Sequence, residues 1–241
     1  MSYLIMFMLI SFLILIHELG HLIAAKLSNI PIELFSVGFG PKLWSFRKGQ
    51  TEYRISALPI AGYVLPKMED VDDFFQIRSS RRIAFALGGP LANIILAVIC
   101  LGFLNAITMG FSFYAVLIFP FVQLTKITSQ FLYALPSLFS SPDKLSGVIG
   151  IVAMGGQMLA GDFLKILNLA VMLNINLAVL NFLPILPLDG GKILFCLLEK
   201  IHRSLLRLRM PLTVTGWVLL LGLLSYVTVL DMCKYVFKIY A

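Results

Sequence analysis

Four stretches of the chain, residues 4–25, 83–108, 163–187 and 212–231, are apolar almost throughout, and each reaches the roughly 20 residues needed to cross the hydrocarbon core of a bilayer. Inside that core no water satisfies a backbone N–H or C=O, so a lone segment enters it as a helix. This constraint makes the expected fold class an all-α polytopic membrane protein with four transmembrane helices. Composition agrees, with 59% of 241 residues apolar and 13% charged, about half the charged share of a soluble domain.

The net charge of +7 does not point to nucleic acid, because the cations flank the apolar runs, where they orient a membrane protein and meet anionic lipid. Nine Lys or Arg lie in 26–82 and five in 190–211 (Lys192, Lys200, Arg203, Arg207, Arg209), whereas 109–162 holds only Lys126 and Lys144. Both basic segments are expected on the cytoplasmic side, which requires an even number of spans between them. A fifth apolar stretch, 111–139, is interrupted by Pro120 and Pro136. It therefore reads as an amphipathic helix on the outer leaflet that does not cross, and both chain ends face outward. With no basic residue in the first sixteen, the start reads as a retained first span rather than a cleaved signal. No internal repeat or long linker divides the chain, so one membrane domain covering 1–241 is expected. Cys100, Cys196 and Cys233 are too scattered for a disulfide framework or a cysteine metal site.

Within the 26–82 loop, TEYRISALPIAGYVLPKME (51–69) has β-branched and aromatic residues in alternation around Pro59–Gly62, which predicts a hairpin. VGFGPKLW (37–44) just upstream is rich in Gly and aromatics, and a re-entrant or sheet-like element is expected there.

The chemistry is concentrated in ILIHELGHLIAAK (14–26), where two histidines and a glutamate sit inside the first span. A charged side chain near a span's centre costs roughly 2.5–3.5 kcal/mol, so this cluster reads as a functional site. On a helix His17 and His21 lie one turn apart, about 6 Å along the axis, and both imidazoles reach one ion. Glu18 points about 100° away, as the general base of a zinc peptidase should. A three-letter match of this kind arises by chance in about 1% of chains this long; its place inside a span is what gives it weight.

Two histidines and a water leave a tetrahedral zinc one ligand short. His202 stands among arginines in the basic segment and reads as a solvated loop residue. Asp189 in NFLPILPLDGGK (181–192) ends the third span on the side that His17 and His21 approach, and is the stronger candidate, against the alternative of an ordinary turn aspartate. The third span also carries Asn168, Asn174, Asn176 and Asn181, with Pro184 and Pro187 before the aspartate. For Asn176 and Asn181 two readings stand open, hydrogen bonding between helices or contact with an extended substrate. Asn93 in GGPLANI (88–94) reads as a packing residue on a span whose small residues allow close approach.

HELGH, GFGPKLW, EYRISALPIAGYVLPKME, GGPLAN, LSGVIGIVAMGGQML and NFLPILPLDGG occur in the order found in the site-2 protease family, which this chain resembles over nearly its whole length. The resemblance implies four core spans in a bacterial inner membrane, with the active site near the cytoplasmic side. It implies zinc held by His17, His21 and Asp189, and water activated by Glu18. It further implies a transmembrane substrate, such as an anti-sigma factor or remnant signal peptide, shortened beforehand by another protease. Asn176 and Asn181 would contact that substrate, and the hairpin at 52–69 would offer it an edge strand carrying Tyr63 and Val64. Close relatives carry paired PDZ domains outside the membrane; between the second span and residue 111 there is no room for them. Two other classes fit the sequence less well. A transporter or ion-binding protein calls for repeat symmetry and polar residues in paired halves, and neither is present. An inactive scaffold homologue sits poorly with an intact HExxH and Asp189.

Overall fold

The computed structural model describes residues 2–68, 73–140, 146–159, 162–201 and 208–237. The chain runs α1 (Ser2–Leu27), β1 (Ile32–Lys48), β2 (Thr51–Pro66), the short α2 (Asp73–Gln76), α3 (Ser79–Met109), a π-turn (Tyr114–Ile118), α4 (Phe119–Ser140), α5 (Val148–Leu159), α6 (Phe163–Phe182), α7 (Asp189–Ile201), α8 (Arg209–Asp231) and a closing π-turn (Met232–Val236). It packs as two compact units, one of residues 10–95 and 177–213, the other of 1–9, 96–176 and 214–241.

Among the described residues five helices are long and apolar enough to cross a membrane: Ser2–Leu27, Ser79–Met109, Tyr114–Pro136, Phe163–Phe182 and Met210–Val236. Their exposed residues fall on stripes that suit lipid. On α3 these are Leu91, Ile95, Ile99, Phe103 and Ile107, each four after the last and so on one helix face. The buried face carries Phe85, Ala86, Pro90, Asn93, Ala97, Leu101 and Leu104. α6 ends at Phe182, five residues short of the expected 187. Pro184 lacks a backbone N–H and disfavours helical geometry in the residue before it, so the helix cannot continue. The segment expected as a basic loop instead begins with a helix, α7, which has Asp189 in its first turn and Lys200 in its last, each matching the helix dipole.

In the first unit α1 and α3 touch at Gly20 and Gly88, where each glycine's backbone carbonyl occupies the place of the other's absent Cβ. The core beside this crossing joins Leu22, Ala25, Ile30, Ile32, Phe35 and Phe85, and ties the sheet to both helices. In the second unit the Asn105 amide donates to Ala115 O at 3.0 Å and to Gln123 Oε1 at 2.8 Å. Asp231, at the end of α8, accepts from the N–H groups of Gly147 (2.9 Å) and Gly150 (2.8 Å).

The sheet departs from the expected hairpin. Its tight turn lies at Gly49 and Gln50 between β1 and β2, and both strands fold back on themselves into arms. β1 bends at Gly38 (φ 93°) and Gly40 (φ 88°), values that favour glycine because a side chain there would clash with the backbone. Arm 32–37 pairs with 62–66 on one side (Phe35 with Val64, Ser36 with Tyr63) and with 52–55 on the other (Phe35 with Tyr53, Ser36 with Arg54). Residues 51–56 also pair with 42–48, as in Phe46 with Tyr53. Thus 51–56 and 62–66 are not hairpin partners, since the 32–37 arm lies between them. The 62–66 arm is left as an edge, with 32–37 its one neighbour among the described residues.

Candidate metal centre

Both histidines and Asp189 belong to the first unit, and all three are buried, at 7%, 6% and 3% exposure. The side chains at 17 and 21 project from the same face of α1, as their spacing requires, so that their Nε2 atoms stand 3.2 Å apart. Asp189 arrives because the chain breaks after Phe182 and restarts as α7. The turn between is tight enough that a Cβ on Gly191 would sit 2.5 Å from the Ile185 carbonyl carbon and 2.6 Å from the Leu186 nitrogen. The two glycines after the aspartate therefore let α7 begin against the preceding turn.

Asp189 Oδ2 lies 3.2 Å from His17 Nε2 and 3.1 Å from His21 Nε2. The three donors form a nearly equilateral triangle. Tetrahedral zinc bonds nitrogen and oxygen at about 2.0–2.2 Å, which spaces its ligands about 3.3–3.6 Å apart, a few tenths of an ångström wider than this triangle. Two imidazoles and one carboxylate, buried and converging on one point, fit that ion in both kind and number. Among the described residues this is the one group of three or more such donors.

Each donor is held from behind. His21 Nδ1 lies 2.8 Å from the Phe85 carbonyl oxygen, which can only accept, and 3.3 Å from the Gly89 N–H; the shorter contact puts the ring proton on Nδ1 and leaves Nε2 its lone pair. Asn93, fully buried on α3, has its amide 3.1 Å from His17 Nδ1. Lys192, one turn along α7, donates from Nζ to Asp189 Oδ1 at 2.8 Å, leaving Oδ2 to face the imidazoles. Burial opposes charge on Asp189, but the contacts with His17 and His21 and the nearby Lys192 ammonium outweigh it, holding the carboxyl well below the usual carboxylate range.

The backbone of α3 closes one side of the triad, since a Cβ on Gly89 would stand 2.6 Å from His17 Nε2. Glu18 leaves α1 toward the sheet, where a Cβ on Gly62 would lie 2.8 Å from Glu18 Cγ. The edge arm with Tyr63 and Val64 therefore starts beside Glu18. Asn181 belongs to the same unit as the triad and donates to Leu177 O at 3.0 Å, one turn back on its own helix. Asn176 falls in the other unit. His202 lies outside the described residues.

Several of these supports are not read from the sequence. Asn93, expected as packing, touches the ring of a candidate ligand, His17; Lys192, expected as an orienting loop cation, pairs with the carboxylate; Gly89 and the Phe85 carbonyl complete the enclosure. Lys192 alone had a local signal, its three-residue spacing from Asp189. Further along the same face of the unit, Arg82 binds Glu199 and donates to Ile77 O at 2.9 Å, fixing the start of α3 to α7.

Relatives match the chain over these regions. A protein of Clostridium perfringens that carries the name "Putative zinc metalloprotease" is 26% identical, across 94% of this chain and 98% of its own length. Proteins of the same name in Clostridium acetobutylicum and Chlamydia trachomatis are 45% and 42% identical over 36% and 39% of the chain. The chain spans only 27% and 18% of those two relatives' lengths. Residues 5–224, which hold the donor triad and everything that supports it, match the model of peptidase family M50, and the chain belongs to that family.

Proposed function

We propose that this chain is an intramembrane zinc endopeptidase that cleaves transmembrane segments of other membrane proteins. The observation that carries the reading is the buried triangle of His17 Nε2, His21 Nε2 and Asp189 Oδ2, with sides of 3.1–3.2 Å, whose two histidines stand on a helix apolar enough to span. These three atoms would hold the zinc. When bound, zinc supplies a Lewis acid that polarises the scissile carbonyl and makes water more acidic. Glu18 accepts the proton of the attacking water as its oxygen bonds the carbonyl carbon, then returns it to the departing amine nitrogen as the C–N bond breaks.

A substrate helix keeps its backbone hydrogen bonds internal and has to unwind to be cut, which in a dry site leaves N–H and C=O groups unpaired. The unpaired edge of 62–66 meets that need: an extended substrate adds there as one more strand, with Tyr63 and Val64 alongside it and Glu18 at its end. The Asn181 side chain is a further polar contact for its backbone.

In this reading the protein lies in a bacterial inner membrane; the positive-inside pattern supports an orientation with the triad toward the cytoplasmic side and both termini outside. In this reading α4 lies on the outer surface, because Lys126 would otherwise sit near mid-bilayer at a cost of roughly 2.5–3.5 kcal/mol. The substrate reaches the site after another protease has shortened it. The test is Glu18→Gln in purified protein given a transmembrane peptide. Zinc should stay bound at about one per chain while cleavage falls by at least about 10²-fold; cleavage near wild type refutes the assignment.

A further inference from the structure

A metal-binding imidazole must present a lone pair, and which of its nitrogens carries the proton is set by the partner of the other. For His21 that partner is the Phe85 carbonyl at 2.8 Å, closer than the Gly89 N–H at 3.3 Å. No carbonyl is recorded at His17 Nδ1 among the described contacts; its partner is the Asn93 side chain at 3.1 Å, 76 residues away on α3. Asn93 is 0% exposed, with Nδ2 toward the ring and Oδ1 buried without a partner.

The two ends of an amide have nearly the same shape, and a half-turn of the terminal torsion exchanges them. With nitrogen toward the ring, Nδ1 accepts, the ring proton sits on Nε2, and that N–H points at Asp189 Oδ2, 3.2 Å away. This arrangement satisfies an empty site and cannot bind a cation. With oxygen toward the ring, Nδ1–H donates to Oδ1 and the Nε2 lone pair joins those of His21 and Asp189. We propose that Asn93 is a positioning residue that selects the zinc-binding tautomer of His17 by turning its amide oxygen to Nδ1–H. The inference rests on the metal reading above.

The test is the zinc dissociation constant of detergent-solubilised full chain, measured by competition with a chromogenic chelator, in wild type, Asn93→Leu and Asn93→Asp. Leucine preserves the volume and removes the acceptor, so zinc binding should weaken by about 10–100-fold. Aspartate keeps an acceptor at the same place and should hold zinc within about fivefold of wild type. A residue that only packs predicts the reverse order, with leucine harmless and a buried carboxylate damaging. Leucine within about twofold of wild type, or aspartate weaker by more than about fivefold, overturns the proposal. If Asn93→Leu does not fold, the aspartate result decides by that same criterion. A wild-type chain that takes up no zinc overturns the metal reading and this inference together, whereas wild-type binding with unchanged Asn93→Leu removes this one alone.

Discussion

Placing one methyl group on Gly89 tests whether α3 is a wall of the metal centre. In Gly89→Ala the new Cβ would press most closely on His21 Nε2 and would lie 2.6 Å from His17 Nε2 and 2.7 Å from His17 Cε1, where a carbon contact needs about 3.5 Å. The overlap, about 0.8–0.9 Å at His17 and larger at His21, has to be relieved by moving the rings or the helix. Retreat of α3 would pull apart its close contact with α1 at Gly88 and Gly20. Moving the ring displaces a donor by several times the roughly 0.2 Å that a metal site tolerates. Zinc affinity should therefore fall by at least about 10²-fold, at or beyond the upper end for loss of a supporting contact. Overpacking should cost about 1–3 kcal/mol on top. Chelator competition reads the first effect, and thermal unfolding of the metal-free protein reads the second. Gly222→Ala, which meets nothing within 4 Å, is the matched control. Wild-type zinc affinity in Gly89→Ala would refute the close packing of α3 on the imidazoles.

Asp189→Ala should lower zinc occupancy from about one per chain to well below half, since two imidazoles alone make a weak site; full retention, read by elemental analysis, would remove the aspartate from the ligand set. Proline tested in turn at Tyr63 and Val64 should give unequal results, because alternate residues of a strand point their N–H to opposite edges. One variant should lose thermal stability by breaking the pairing with 32–37, and the other should fold normally yet cleave slowly; equal behaviour would exclude edge pairing. Cysteines at Lys126 and Lys48 should be labelled by impermeant reagents from opposite sides, the first without permeabilisation and the second only after it. A Lys126 cysteine that neither treatment labels would place α4 across the bilayer.

Much of the candidate metal centre was legible because it is local. HELGH carries its geometry in its own spacing: any helix through 17–21 stacks the two imidazoles, and an apolar run in a membrane has no choice but helix. Asp189 was legible more indirectly, from the ligand number of zinc and the side of the membrane expected for it from the charge pattern. The proline break and the double glycine that bring it there were visible as letters, but the tight turn they permit was not.

What only the tertiary structure decided depends on pairs distant in sequence. The 62–66 arm alternates as well as 51–56 does, and pattern alone pairs them as a hairpin; insertion of 32–37 between them follows from the bend at Gly38 and Gly40. The tightness of Gly89 against the imidazoles, the Phe85 carbonyl behind His21 and the Asn93 amide behind His17 exist only because α1 and α3 cross at Gly20 and Gly88. A periodicity shows which face of a helix is buried. What that face meets is set by the crossing, and the crossing is a property of two helices that neither sequence segment contains alone.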